Sequence, residues 1–286
     1  MVVRERSSSS FFVALTENNT DVHTGNILLR LPKDMRQLTI EELYDKIGRP
    51  ITEVLTRKDG RATSPNVPTE VVWPAQFEVN TIDVSRTHHL PAMLSDFGES
   101  FEPSVTKRDY AHTRPTLIPP ESFFSEAESS TISFSSEIWT LACTIIEIMG
   151  GGAPFDTWAD VDAIISEHVM VLGKLPDRWW NKWSARNQYF NDDATIYLPE
   201  DRVLYDNIEK RYEYCVVKPR SRHGEDVPGD KERRAFIEML STMLVLDPTR
   251  RATIHEIAEC EWMQMSSGWS IGNHDDVFSH CHKPRG

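Results

Sequence analysis

The chain is short of cysteine, of basic charge and of long apolar runs, and each shortage removes a class of function. Four cysteines, Cys143, Cys215, Cys260 and Cys281, are spread over 286 residues with no C-x-x-C pair, so neither a disulfide framework nor a zinc knuckle is expected. His274, His280, Cys281 and His282 invite a metal reading, yet the last three are consecutive and cannot all face one ion without distortion. Plain thiols of a cytoplasmic or nuclear protein are the simpler reading. With 31 Lys plus Arg against 44 Asp plus Glu, the formal net charge is -13, which argues against direct binding of nucleic acid. The greasiest segment, Ile138 to Met149, is shorter than the roughly 18 residues a membrane helix needs and carries Glu147. Phe11 to Leu15 likewise falls below the ~7 to 15 apolar residues of a secretory signal core. No membrane partner and no export are expected, no internal repeat is visible, and nothing in the sequence bears on oligomeric state.

What is present is organised unevenly. Residues 1–19 hold a Ser7 to Ser10 run and read as a flexible arm. Polar residues 21–26 lead into apolar Ile27-Leu28-Leu29, a loop feeding a short strand. Thr39 with Glu42 makes a capping box for a small helix that Gly48 and Pro50 close. Residues 57–91 have no helical period and predict an irregular insertion with one strand at most. Ala92 to Leu94 reads as a strand running into a tight turn at Asp96-Phe97-Gly98. Beyond Ser135 the pattern is helical. Ile138 to Met149 is apolar nearly all round and stopped by Gly150 to Gly152, which predicts a buried central helix. Amphipathic helices are predicted around Val161 to Leu172 and Phe236 to Leu244, and a last one from the capping box Thr253/Glu256 with Trp262 on its inner side. Residues 184–230 show little periodicity and read as an insertion, and 266–286 as a tail. Trp179, Trp180 and Trp183 are read as packing rather than ligand recognition.

Taken singly, Asp21-Val22-His23-Thr24-Gly25-Asn26 and Asp96-Phe97-Gly98 are as well explained by loops and caps as by chemistry. Their order says more. Asp-x-x-x-x-Asn, then Asp-Phe-Gly, then Pro119-Pro120-Glu121, a helix opened by Glu137-Ile138-Trp139, and Asp247-Pro248-Thr249-Arg250-Arg251 resembles the C-terminal lobe of a protein kinase. Asn19-Thr20-Asp21, Ser95 to Glu99 and Leu175 to Trp180 are similar to the SR-protein-kinase-like subfamily of fungal type.

The resemblance implies a mainly α fold: a kinase-like C-terminal helical lobe over 20–265, with a few short strands at its N-terminal edge and insertions at about 33–90 and 184–230. It implies transfer of the ATP γ-phosphate to a Ser or Thr hydroxyl of a protein substrate, one rich in Arg and Ser. Asp21 would receive or orient the acceptor proton. Asn26 and Asp96 would supply hard oxygen ligands to Mg²⁺, and Leu28 would lie under adenine. Glu121 and Arg251 correspond to a buried structural pair, with a solvated surface pair as the alternative. His23 stands where the family has a γ-phosphate-contacting Lys, Thr20 where many members have Arg, and Glu137 where Asp is expected. Only twenty residues precede Asp21, against at least about 40 for five strands and a helix, and they hold no Gly-rich loop and no Val-Ala-Ile-Lys strand. The N-terminal lobe is therefore expected to be missing. Three readings stand: a truncated active kinase, a non-catalytic binding or scaffold module, and an unstable product with an exposed apolar face.

Overall fold

Apolar residues at three- and four-residue spacing dominate the second half of the chain, and in the computed structural model they assemble into a helical body. The structure describes residues 22–30, 35–74, 92–103, 105–108, 110, 113–127, 132–155, 160–193 and 207–265. The arm at 1–19, Asp21 and the tail with His274, His280, Cys281 and His282 lie outside the described residues. The chain divides into two compact units, one comprising the described residues up to Leu28 and from Ala92 onward, the other Leu29–Pro91.

In the larger unit, strands β1 (Ile27–Leu29) and β4 (Ala92–Leu94) form a two-stranded sheet. Helix α2 (Phe134–Gly150) is central. Ser133 and Ser136 cap its start reciprocally, and Gly151 ends it in the left-handed region at φ 84°. Every residue of α2 from Ser136 to Thr144 is buried, as expected of a helix enclosed on every side. Helix α3 (Val161–Leu172), capped by the Asp160 carboxylate on the Ala163 N–H, buries Ile165, His168 and Val169. Helix α7 (Asp230–Met243) buries Phe236, Met239, Leu240 and Met243. Each such side chain is worth ~1.5–3 kcal/mol on burial, so these helices are held by packing rather than by propensity. His168 sits edge-on to Trp139 and Phe155, and burial pushes its imidazole down to about 3, which keeps it neutral. In α4 (Asp177–Trp180) both tryptophans are buried, with Trp179 stacked on Phe124 and Trp180 edge-on to Trp183. This cluster is core.

Two sequence expectations are corrected. Residues 208–222 are helical, as α5 (Ile208–Tyr212), a π-turn (Glu213–Val217) and α6 (Lys218–Arg222), and they bury Tyr212, Cys215 and Val216. The π-turn adds a residue to the turn and breaks the 3.6 period, which hid the helix from a periodicity reading. The last helix is split. Cys260, in extended conformation, separates α8 (Ile254–Glu259) from α9 (Glu261–Met265), so Trp262 belongs to a second short helix and packs on Phe236.

The close passage of the π-turn over the end of α2 requires glycine at 150. A Cβ there would lie 1.8 Å from the Cys215 carbonyl oxygen. Gly150→Ala is therefore expected to cost about 2 kcal/mol, because backbone rather than a flexible side chain must move. Urea unfolding measures it, and a loss under ~0.5 kcal/mol would contradict that tight passage.

In the smaller unit, α1 (Ile40–Ile47) begins at the Thr39/Glu42 capping box and ends at Gly48. Strands β2 (Thr52–Val54) and β3 (Glu70–Val72) pair antiparallel in the register Thr52↔Val72, Glu53↔Val71 and Val54↔Glu70. The sequence reading had no strand at 52–54. Three residues with Glu at the centre are too short for an alternation signal.

Candidate active site

Helix α2 also supports the loop that carries the candidate chemistry. Thr144 Oγ1 donates to the Val22 carbonyl at 2.7 Å, and Thr24 Oγ1 donates to Glu147 Oε2 at 3.1 Å. Residues 144 and 147 are i and i+3 on one helix face, so the loop is gripped at two points one turn apart. Within it His23 caps the 3-10 turn Thr24–Asn26. Its Nδ1 accepts the Gly25 N–H at 3.0 Å, while its carbonyl accepts the Asn26 N–H at 2.9 Å. That spends the Nδ1 lone pair, so a neutral His23 carries its proton on Nε2. A Cβ at Gly25 would come within 2.8 Å of the His23 ring, so the cap favours glycine at position 25.

The turn delivers Asn26, buried, to the start of β1. Its carbonyl oxygen accepts both the Ser95 N–H at 2.8 Å and Ser95 Oγ at 3.0 Å. Ser95 precedes Asp96, so these bonds bring the two candidate metal ligands, 70 positions apart in sequence, to neighbouring strand ends. Asp96 has φ 59° and ψ 66° and is the one described non-glycine residue with positive φ. Such a conformation costs ~1–3 kcal/mol and persists where the surroundings impose it, often at functional sites. The Asp96 side chain makes no cap hydrogen bond and is exposed.

The donor set suits a hard cation. A carboxamide and a carboxylate offer oxygen ligands with one formal negative charge. Among the described residues no group of three or more His, Cys, Asp and Glu is clustered as a metal site, so an ion here would complete its shell with phosphate oxygens and water. Beside the pair the β1/β4 sheet and the turn after Asp96 show apolar surface: Leu28 is 45% exposed, Met93 40% and Phe97 48%.

Near its N-terminal end α2 is held by the buried pair expected at Glu121 and Arg251. Arg251 Nη1 and Nη2 donate to Glu121 Oε1 and Oε2 at 2.7 and 2.6 Å. Nη1 also donates to the Ser135 carbonyl and Nε to the Val245 carbonyl, and the guanidinium lies 5.1 Å from the Trp139 ring centroid. Glu121 lies in the first turn of the 3-10 helix Pro120–Ala127, which follows the Pro115–Leu117 turn opened by Arg114, so the pair ties that segment to the helical body.

Of the predicted site residues, His23, Asn26, Leu28 and Asp96 lie on one edge of the larger unit, and Asp21 lies outside the described residues. Sequence reasoning missed Thr24, Arg114, Thr144 and Glu147. Its one signal was Glu147, the single charge in the apolar span Ile138 to Met149.

A central apolar helix, a short strand pair at its edge and a buried Glu–Arg clamp define the helical lobe of a protein kinase. The family model described as "Protein kinase domain" matches residues 82–263, and the chain belongs to that family. The matched span includes Asp96, Glu121 and Arg251 and begins downstream of the loop at 22–26. Over 138 residues the chain is 25% identical to the serine/threonine-protein kinase AFC3 of Arabidopsis thaliana, covering 47% of this chain and 33% of that protein. The match thus spans about one third of that relative's length.

Proposed function

We propose that the chain is the helical part of an ATP-dependent protein serine/threonine kinase of the SR-protein-kinase-like type. The observation that carries the reading is the pair of Ser95 bonds to the Asn26 carbonyl, which sets Asn26 beside Asp96 in a chain of the protein kinase family. Serine or threonine as acceptor is supported by the name of the Arabidopsis relative and by the subfamily resemblance.

In this reading the acceptor oxygen attacks the γ-phosphorus, the bond to the β–γ bridging oxygen breaks, ADP leaves, and the acceptor proton passes to Asp21. Asn26 and Asp96 would hold Mg²⁺, which when bound neutralises phosphate oxygens. Leu28 offers an apolar face to adenine. The substrate class is an Arg/Ser-rich protein segment, the kinase lobe extends over 20–265, and the compartment is cytoplasmic or nuclear.

A second reading, a binding module without catalysis, draws on His23 in place of a lysine, with its Nδ1 spent on capping. Two measurements on the purified chain separate the readings: transfer of labelled phosphate to an Arg/Ser-rich peptide, and the thermal shift with Mg·ATP. A ligand at 100 times its Kd adds about 2.7 kcal/mol to the folded state. Transfer and shift are both expected, with transfer lost in Asp21→Asn and both lost in Asp96→Ala. No transfer and no shift would overturn the kinase reading and leave the binding module.

A further inference from the structure

The carboxylate of Glu147 is used twice, and its second partner lies outside the loop it supports. Oε2 accepts from Thr24 Oγ1 at 3.1 Å and from Arg114 Nη2 at 2.9 Å, and the same Nη2 lies 3.4 Å from Thr24 Oγ1. The three groups close a triangle. Thr24 gives its single hydroxyl proton to Glu147 and offers a lone pair to Arg114. Three segments far apart in sequence are joined in this way: the loop 22–26, the turn Pro115–Leu117 that Arg114 opens, and α2.

Side-chain exposure separates the roles. Glu147 is 9% exposed and Arg114 46%. A carboxylate that secluded, with only a neutral hydroxyl as partner, is poorly stabilised. The guanidinium offsets its charge from the solvent side. The turn carrying Arg114 is itself anchored, with Thr116 and Leu117 buried and the Leu117 carbonyl accepting from Thr140 Oγ1 at 3.3 Å.

We infer that Arg114 is a positioning residue: by neutralising Glu147 it fixes the Thr24 hydroxyl, and through it the turn that presents Asn26. The segment ending in the Glu121–Arg251 clamp is thereby coupled to the candidate metal loop. The catalytic consequence rests on the kinase reading, while the coupling itself does not.

Amide exchange at Gly25 and Asn26 in the folded chain tests the coupling without any need for activity. Arg114→Ala and Thr24→Val are each expected to speed exchange at these two amides about fivefold, with amides of α7 unchanged. The double variant should be no faster than the faster single one, because both break the same triangle. Arg114→Lys and Thr24→Ser should keep most of the protection. Where the chain transfers phosphate, Arg114→Ala is expected to lower kcat about fivefold with the peptide KM within about twofold, since an effect through Asn26 acts on phosphate alignment rather than peptide binding. Unchanged exchange in Arg114→Ala, fully additive singles, or acceleration spread equally over α7 would overturn the inference. Absence of transfer by the wild-type chain would overturn the kinase reading instead, and the exchange data would still decide the coupling.

Discussion

Arg251→Met is expected to destabilise the folded chain by about 3–5 kcal/mol, because it leaves the Glu121 carboxylate buried without its counter-charge. The guanidinium holds both oxygens of Glu121 and the carbonyls of Ser135 and Val245, and it covers the face of Trp139. One substitution thus removes the counter-charge of a buried carboxylate, which keeps the Ser136 hydroxyl as a donor at 2.7 Å, and takes a donor from the part-buried Ser135 and Val245 carbonyls. A loss of this size is a large share of the ~5–15 kcal/mol that separates folded from unfolded domains. Glu121→Gln, which keeps a hydrogen-bonding partner, should cost less. The double variant Glu121→Leu/Arg251→Met should recover at least half the loss, since a buried ion pair replaced by apolar groups is often close to neutral. Urea unfolding followed by tryptophan fluorescence reads all three. Additive single effects in the double variant would show that the two residues act independently, contrary to the bidentate geometry.

The helical body was legible in the sequence because its signals are periodic and local. Thr39/Glu42 and Thr253/Glu256 announce their helices by capping chemistry. The span 138–149 announces α2 by apolar residues nearly all round, interrupted by the stripe Thr140, Thr144 and Glu147. The Asp96 turn was legible as a turn, whereas its left-handed backbone was not, because nothing in Asp-Phe-Gly assigns positive φ to the aspartate. The features that escaped reading are those in which period or proximity is set by tertiary contact. The π-turn at Glu213–Val217 shifts the phase of its helix. The Thr24–Glu147–Arg114 triangle joins residues 33 to 123 positions apart, and no spacing rule links them. Asn26 and Asp96 were paired through resemblance, and the physical cause of their approach, the two Ser95 donors on the Asn26 carbonyl, was not visible in the string.

Glu137 gives the second large effect, and its sign follows from burial alone. The residue lies in the first turn of α2, where the kinase resemblance expects aspartate. It is buried, neither of its carboxyl oxygens has a hydrogen-bond partner among the described residues, and burial pushes the carboxyl from an ordinary 4.5 up to about 9. At neutral pH it is therefore a protonated acid inside the fold, whereas in the unfolded chain it ionises. An acid with a raised folded-state value leaves stability intact below its unfolded value and removes it as pH rises toward the folded one. Between about pH 5 and 9 this group should lower unfolding free energy by about 1.4 kcal/mol per pH unit, amounting to about 3 kcal/mol at pH 7. Glu137→Gln keeps the shape and removes the ionisation. The variant is expected to match the wild type near pH 4.5 and to exceed it increasingly up to pH 9, flattening that part of the stability profile. Urea midpoints across this range make the comparison. Parallel profiles for the two proteins would mean that Glu137 is charged in the fold and stabilised by donors beyond the described residues, and the neutral-acid account of the helix start would then be wrong.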